Sequence, residues 1–271
     1  MWINVERTRA HAVAPQTWHA RAGTPAPRRR REGSRSTMRQ ALSHLAVVAS
    51  KLLAPGRCLL CNAPLFQTDG RVCPACLADL PWLRHACPRC AVARPDATLC
   101  PACAVHPPSQ DSAWAAFRFH EPVRAAILAL KYNAGFAQAR WIGAAMADAL
   151  GQRNAPLPEC LLPVPLHATR LRRRGYNQAL ELARVIGHQL GIPVDWQALR
   201  RTRSTTDQIG QDRAARRRNL RGAFTAAPTL TGRHIALVDD VMTTGSTLAE
   251  LAACCRAAGA RQIEVWAAAR A

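Results

Sequence analysis

Residues 235–247 read Ile235-Ala-Leu-Val-Asp-Asp-Val-Met-Thr-Thr-Gly-Ser-Thr247, and this stretch decides the fold. It opens with an apolar run, as expected for the buried centre of a parallel sheet. Asp239 and Asp240 follow where that strand ends, and ligands of open α/β sheets bind at the carboxyl ends of strands. Two adjacent carboxylates there can accept hydrogen bonds from sugar hydroxyls and hold a divalent cation indirectly. Val241 and Met242 lead into a small-residue turn, Thr243 to Thr247, in which Gly245 lets the backbone approach a ligand. Backbone amides and the hydroxyls of Thr243, Thr244, Ser246 and Thr247 can then surround a phosphate at the positive end of the following helix. A lone Gly-rich turn would read as an ordinary strand-to-helix connection. The whole string, with its acid pair, reads as a phosphate loop.

Working outward from it, strand and helix signals alternate across 110–271. Strands are expected over 113–119, 161–165, 194–201, 234–239 and 262–268. Helices are expected over 122–131, with Pro122 in the first turn, over 138–150 and 176–190, closed by Gly151 and Gly191, and over 246–258, ended by Gly259. Residues 212–220 read as an Arg-rich helix or an ordered loop. This alternation implies an α/β fold, a central parallel sheet flanked by helices on both faces.

The segment 58–106 has a different character. Cys58/Cys61, Cys73/Cys76, Cys87/Cys90 and Cys100/Cys103 form four Cys-x-x-Cys pairs. Each can present two thiolates to one metal, and two pairs complete the tetrahedral S4 shell that suits structural zinc. Pro74, Pro88 and Pro101 stiffen three of the turns. Sequential pairing is simplest, giving two zinc ions in a double ribbon; the spacing also allows a crossed arrangement, first pair with third and second with fourth. Iron–sulfur ligation and redox chemistry fit less well, because four even pairs suit two closed shells and no strand–helix context surrounds them. A closed shell leaves no position for water, so the zinc should hold the segment folded. Cys160, Cys254 and Cys255 stand apart and read as small buried hydrophobes.

The chain has 271 residues, 49% hydrophobic, with 37 Lys+Arg against 17 Asp+Glu and a formal net charge of +20. Such a balance points to anionic partners, or to a basic solvated surface that a general arginine preference would also produce. No apolar run reaches the roughly 18 residues of a membrane span, and no secretory signal is apparent. Cysteines without an export signal argue for metal over disulfides. The expected location is the cytoplasm. Residues 1–37 are Arg-rich with little apolar periodicity and are expected to be a disordered tail. Arg28 to Arg31 read as a nucleic-acid contact, a targeting feature or a tail without function. Met38 opens an amphipathic stretch, so 1–37 also reads as sequence upstream of the true translation start. Apolar residues at helical spacing predict an N-terminal helix within 38–57, ended by Pro55-Gly56.

The 235–247 string matches the motif with which type I phosphoribosyltransferases bind phosphoribosyl pyrophosphate (PRPP). Joined to a double zinc ribbon, and to Pro163-Val-Pro165 followed by Arg174-Gly-Tyr-Asn-Gln178, it resembles the ComF family, also called the GntX or competence protein F family. The resemblance implies a type I phosphoribosyltransferase fold behind the ribbon, with Mg2+ accompanying PRPP. It makes Asp239 and Asp240 the catalytic pair that positions the ribose, and 239–247 the PRPP loop. It makes Arg172, Arg173, Arg174 and Gly175, in the loop over 163–175, the pyrophosphate site, where guanidinium forks suit phosphate oxygens. His167 reads as a surface loop histidine. The stretch 201–221, with Gln208, Arg213, Arg217 and Asn219, takes the place of the superfamily's mobile loop; closure over PRPP and contact with nucleic acid would look alike there. Lys131-Tyr132 matches a family position without a known role and reads, by itself, as a cation at a helix C-terminus. The function implied is a PRPP-binding phosphoribosyltransferase-like protein of competence, DNA uptake or use of DNA, with an acceptor that the sequence does not name. The alternative is a non-catalytic PRPP-sensing or single-stranded DNA-binding adaptor, with DNA-uptake proteins as further partners. Trp82 and Trp141 are the aromatic candidates for base stacking, and both also read as core.

Overall fold

A computed structural model describes residues 56–66, 71–132, 135–202 and 222–271. The expected tail 1–37, the helix before Gly56 and the stretch with Gln208, Arg213, Arg217 and Asn219 lie outside the described residues.

The cysteine segment begins with a two-residue hairpin, β1 (Gly56–Arg57) against β2 (Pro64–Leu65). Two short helices follow, α1 (Pro74–Ala78) and α2 (Pro101–Val105). Each opens on a Cys-Pro step, with Cys73 or Cys100 as N-cap and proline at the first helical position, where its missing N–H costs nothing. The two ribbons repeat one hydrogen-bond pattern. Asn62 N donates to Cys58 O and Ala91 N to Cys87 O, both at 2.9 Å, and the donors are left-handed at φ 61° and 52°. That turn brings the two cysteines of each first pair onto one side.

The second part is the α/β layer. Its strands are β3 (Ser112–Arg118), β4 (Cys160–Pro163), β7 (His234–Met242) and β8 (Gln262–Arg270), all parallel in the order β3-β8-β7-β4. A separate antiparallel pair, β5 (Leu199–Arg201) and β6 (Phe224–Ala226), lies beyond it. The helices are α3 (Val123–Tyr132), α4 (Phe136–Gly151), α5 (Ala168–Arg174), α6 (Gln178–Leu190) and α7 (Ser246–Ala257). Alternate residues of β7 enter different cores. Ala236 and Val238 pack with Ile127, Ile142, Met146, Leu182 and Ile186 of α3, α4 and α6. Ile235 and Leu237 pack with Leu248, Leu251 and Cys255 of α7. Both faces are therefore covered, as a parallel sheet requires.

The ribbon segment closes one edge of this sheet. Leu83 N donates to Ala116 O and Arg118 N to Pro81 O, both at 2.8 Å, so 81–83 runs antiparallel beside β3. Trp82 packs on Phe117 with ring centroids 4.5 Å apart. The unpaired groups of an edge strand are thus satisfied within the chain.

Three expectations change. The strand over 194–201 shrinks to β5, because the Asp195 carboxylate accepts from Gln197 N and Ala198 N at 3.0 Å and turns the chain; Val194 keeps one parallel bridge to Leu161. The strand at 234–239 runs on to Met242, since Val241 and Met242 still pair with Ala269 and Arg270. The arginine run in 163–175 is helical: His167 caps α5 through Thr169 N, and left-handed Gly175 ends it. Nothing between those caps breaks a helix.

At the sheet end away from the 243–247 turn, the buried Glu264 carboxylate gathers donors. Arg153 reaches it at 3.2 Å, His234 Nε2 at 3.1 Å and Trp266 Nε1 at 2.9 Å. Among the described residues no helix is long and apolar enough to cross a membrane.

Candidate functional site

Parallel register builds the site. Pro163, the last residue of β4, lies opposite Val238, and Val164 N donates to Val238 O at 2.9 Å. The chain carrying the arginine run therefore leaves the sheet beside Asp239. Asp239 and Asp240 occupy consecutive positions of β7, and Asp239 Oδ1 accepts from Asp240 N at 2.8 Å. Burial first, and the neighbouring Asp240 carboxylate second, push the Asp239 carboxyl up to about 8. Lys131, at the end of α3, holds Asp240 Oδ2 at 3.2 Å. Its role is thus an ion pair across the site, which no local pattern announces.

Beyond Met242 the chain turns through Thr243 and Thr244 into α7. Gly245 is its N-cap at φ 74°, in the left-handed region that glycine enters without a Cβ penalty. Thr244 Oγ1 lies 2.9 Å from Ser246 Oγ and accepts from Ser246 N at 3.3 Å. The first-turn amides of α7 open toward this turn, as a helix N-terminus must. Asp239, Asp240 and the 243–247 turn are one continuous strand-to-helix passage, and the arrangement suits a phosphate beside a polyol.

The Arg174-Gly-Tyr-Asn-Gln178 stretch brackets the other side. Tyr176 OH donates to Leu130 O, tying this turn to the end of α3. Asn177 caps α6 through Ala179 N at 3.0 Å and donates to Val164 O at 2.9 Å. Arg172 and Arg173 are exposed, and the Arg174 guanidinium stands 5.5 Å from the centre of the Tyr132 ring. Arg174 Nε and the amide nitrogen of buried Gln178 have no hydrogen-bond partner in the protein. Two orphaned donors near the arginine run are what an anion site leaves unfilled.

The aromatic expectation is corrected. Trp141 is buried, and half-buried Trp82 packs on Phe117, so both belong largely to the core. Tyr132, 65% exposed, and Phe136, 46% exposed, stand beside the arginine run instead, with Phe136 5.0 Å from Tyr176.

The cysteines form two clusters, Cys58/Cys61/Cys73/Cys76 and Cys87/Cys90/Cys100/Cys103, so the pairing is sequential. Four sulfurs each at about 2.3 Å from a zinc lie about 3.8 Å from one another. Cys61 and Cys73, and Cys90 and Cys100, stand 3.7 Å apart, which fits that shell. Cys73 N donates to Cys58 Sγ at 3.3 Å and Cys100 N to Cys87 Sγ at 3.4 Å. Burial alone would raise both thiols, but amide donors outweigh it and bring Cys58 down to about 6 and Cys87 to about 7. Cys160 and Cys255 are buried among apolar side chains, as expected of them.

A double zinc ribbon domain family matches residues 49–104. The DNA utilization protein YhgH of Salmonella typhi is 33% identical over 224 residues, covering 79% of this chain and 97% of that protein. Competence protein F of Haemophilus influenzae is 34% identical over 223 residues, with the same coverage. The chain belongs to the competence protein F family. Among solved structures, this family member is similar to the glutamine PRPP amidotransferase of B. subtilis, with 21% identity and TM-score 0.35. That match covers 49% of the chain and 27% of the amidotransferase, so the chain spans about a quarter of its length. A purine phosphoribosyltransferase from Pyrococcus horikoshii matches 48% of this chain and 80% of its own, at 19% identity and TM-score 0.29. The fold of this competence protein F relative rests on its own sheet order and register, not on these partial superpositions.

Proposed function

We propose that the chain binds PRPP, with Mg2+, in the loop 239–247 and serves as a phosphoribosyltransferase-like protein in DNA uptake or the use of DNA, working in the cytoplasm. The observation that carries this reading is the passage from β7 through the acid pair into the N-terminus of α7. Asp239 and Asp240 take the ribose hydroxyls, and the 243–247 amides and hydroxyls take the 5′-phosphate. Arg172, Arg173 and Arg174 face the pyrophosphate, whose departure builds negative charge that guanidinium groups stabilise. Lys131 orients Asp240 through their ion pair. Mg2+ would neutralise the pyrophosphate oxygens. The names of the relatives, DNA utilization protein and competence protein F, support the process.

Isothermal titration with Mg2+–PRPP tests it. Wild type should give saturable heat, and Asp239→Asn with Asp240→Asn should weaken binding at least about tenfold, or about 1.4 kcal/mol. No heat from wild type sinks the proposal. Pyrophosphate release with a panel of nucleobases and amines then separates a transferase from a PRPP sensor that binds without turnover.

The exposed rings of Tyr132 and Phe136 beside Arg172–Arg174 favour a second reading, a single-stranded DNA contact by stacking and phosphate pairing. Affinity for an oligonucleotide should fall with salt, and Tyr132→Ala with Phe136→Ala should lower it further. Salt-independent binding removes this reading.

A further inference from the structure

The phosphate loop is not backed by close packing on its ribbon side. A cavity of about 420 Å³ lies there, with Thr244, Gly245 and Ser246 on one wall and Cys90, Cys100 and Cys103 of the second ribbon on another. Arg270, at the end of β8, spans the two walls. Its Nε donates to Cys90 O at 3.0 Å. Its Nη1 donates to Met242 O at 3.1 Å and to Thr243 O. Met242 O also accepts from Ala271 N at 3.0 Å, so the far end of β8 holds the start of the loop by backbone and by side chain together.

The other anchor of Arg270 belongs to a metal knuckle. Cys90 closes the turn in which Ala91, left-handed at φ 52° and fully buried, donates to Cys87 O at 2.9 Å. A non-glycine residue in that conformation costs about 1–2 kcal/mol, so something must hold the turn. Zinc on the four sulfurs does so. Without it, nothing draws Cys87, Cys90, Cys100 and Cys103 together against that strain, and the knuckle relaxes. The Cys90 carbonyl then moves off the Arg270 guanidinium, and the fork loses its hold on the ribbon.

We infer that Arg270 is a positioning residue that makes the geometry of the 243–247 loop depend on zinc in the second ribbon. The first ribbon has no such link among the described residues, so the dependence belongs to Cys87/Cys90/Cys100/Cys103 alone. The inference rests on the PRPP reading only for its ligand consequence; the mechanical link stands apart from it. By reciprocity, a ligand that orders the loop should also tighten zinc binding in the second ribbon.

Hydrogen exchange and equilibrium zinc affinity on the full-length protein test this. In Arg270→Gln, with two zinc ions still bound and helical circular dichroism unchanged, amides 244–248 should exchange about tenfold faster than in wild type. Arg270→Lys, which keeps the charge without the fork, should behave similarly. Stripping the second zinc from wild type should loosen the same amides, and in Arg270→Gln it should add little. Mg2+–PRPP should tighten binding of that zinc, read by chelator competition at equilibrium, in wild type and not in Arg270→Gln. Unchanged exchange in both variants, or equal loosening by zinc loss with and without Arg270, overturns the inference. Absence of PRPP binding would remove the functional reading and the reciprocal effect, while the exchange arms still decide the link.

Discussion

Replacing Asp239 by asparagine should make the protein more stable in alkaline solution than in acid, relative to wild type. The Asp239 carboxyl sits at about 8 in the fold, raised by burial and by Asp240, against 3.8 for the free group. A folded-state value above the unfolded one means that the native protein keeps a proton the unfolded chain has released. Stability therefore falls as pH rises from about 4 to about 8 and then levels. At about 1.4 kcal/mol per unit, the full cost at pH 7 has an upper limit near 4 kcal/mol. The partly exposed position reduces it to on the order of 2 kcal/mol. Asparagine has the shape of the protonated acid and removes this cost at every pH. The Asp239→Asn variant should thus gain roughly 4–8 °C in melting temperature at pH 8, with the gain shrinking toward pH 5.5. Zinc loss at low pH weakens both proteins alike, so the difference between two calorimetric scans isolates the carboxyl. A difference that does not vary with pH, or a variant less stable throughout, would refute the argument that the acid pair is held in place at a cost to stability.

Metal analysis should find two zinc ions per chain, one for each cluster, and Cys58→Ser or Cys87→Ser should each lose one. Glu264→Leu should cost about 3–5 kcal/mol, because Arg153, His234 and Trp266 lose a shared buried acceptor; urea unfolding within about 1 kcal/mol of wild type would contradict this. Gly187→Ala should destabilise by about 1–3 kcal/mol, since its new methyl would lie 2.6 Å from Ile192 O and 2.8 Å from Val194 Cγ2. Gly245→Ala meets nothing nearer than 3.9 Å, so thermal unfolding should register only the left-handed strain of about 1–2 kcal/mol.

The strand-to-helix passage over 235–247 is legible in the sequence because each of its parts is local: an apolar run, two acids, small residues and a glycine in unbroken order. The metal pairs are legible for the same reason, while the choice between sequential and crossed pairing depends on how the turns at Asn62 and Ala91 aim the sulfurs. Lys131 reads as a helix-end cation because its partner, Asp240, lies far along the chain and only α3 packing joins them. The arginine run reads as a loop because its basic character hides two good caps, His167 and Gly175. Val194 to Ala198 reads as extended because the pattern of side chains does not show that Asp195 takes the amides a strand would share. Trp82 and Trp141 can be recognised as aromatic but not as occupied, since the Phe117 that packs against them comes from β3.

The place of β8 between β3 and β7 has a consequence for how the protein is made. Ser112 finds its partner in β8 only when Glu264 has been synthesised, and His234 finds its own there only when Gln262 has. Contacts this distant in sequence form slowly. The cysteine segment can fold as soon as it meets metal, but the sheet it covers stays without its middle strand until translation reaches 262–270. A nascent chain halted before that point would carry a finished metal module beside two sticky half-sheets, a natural client for chaperones.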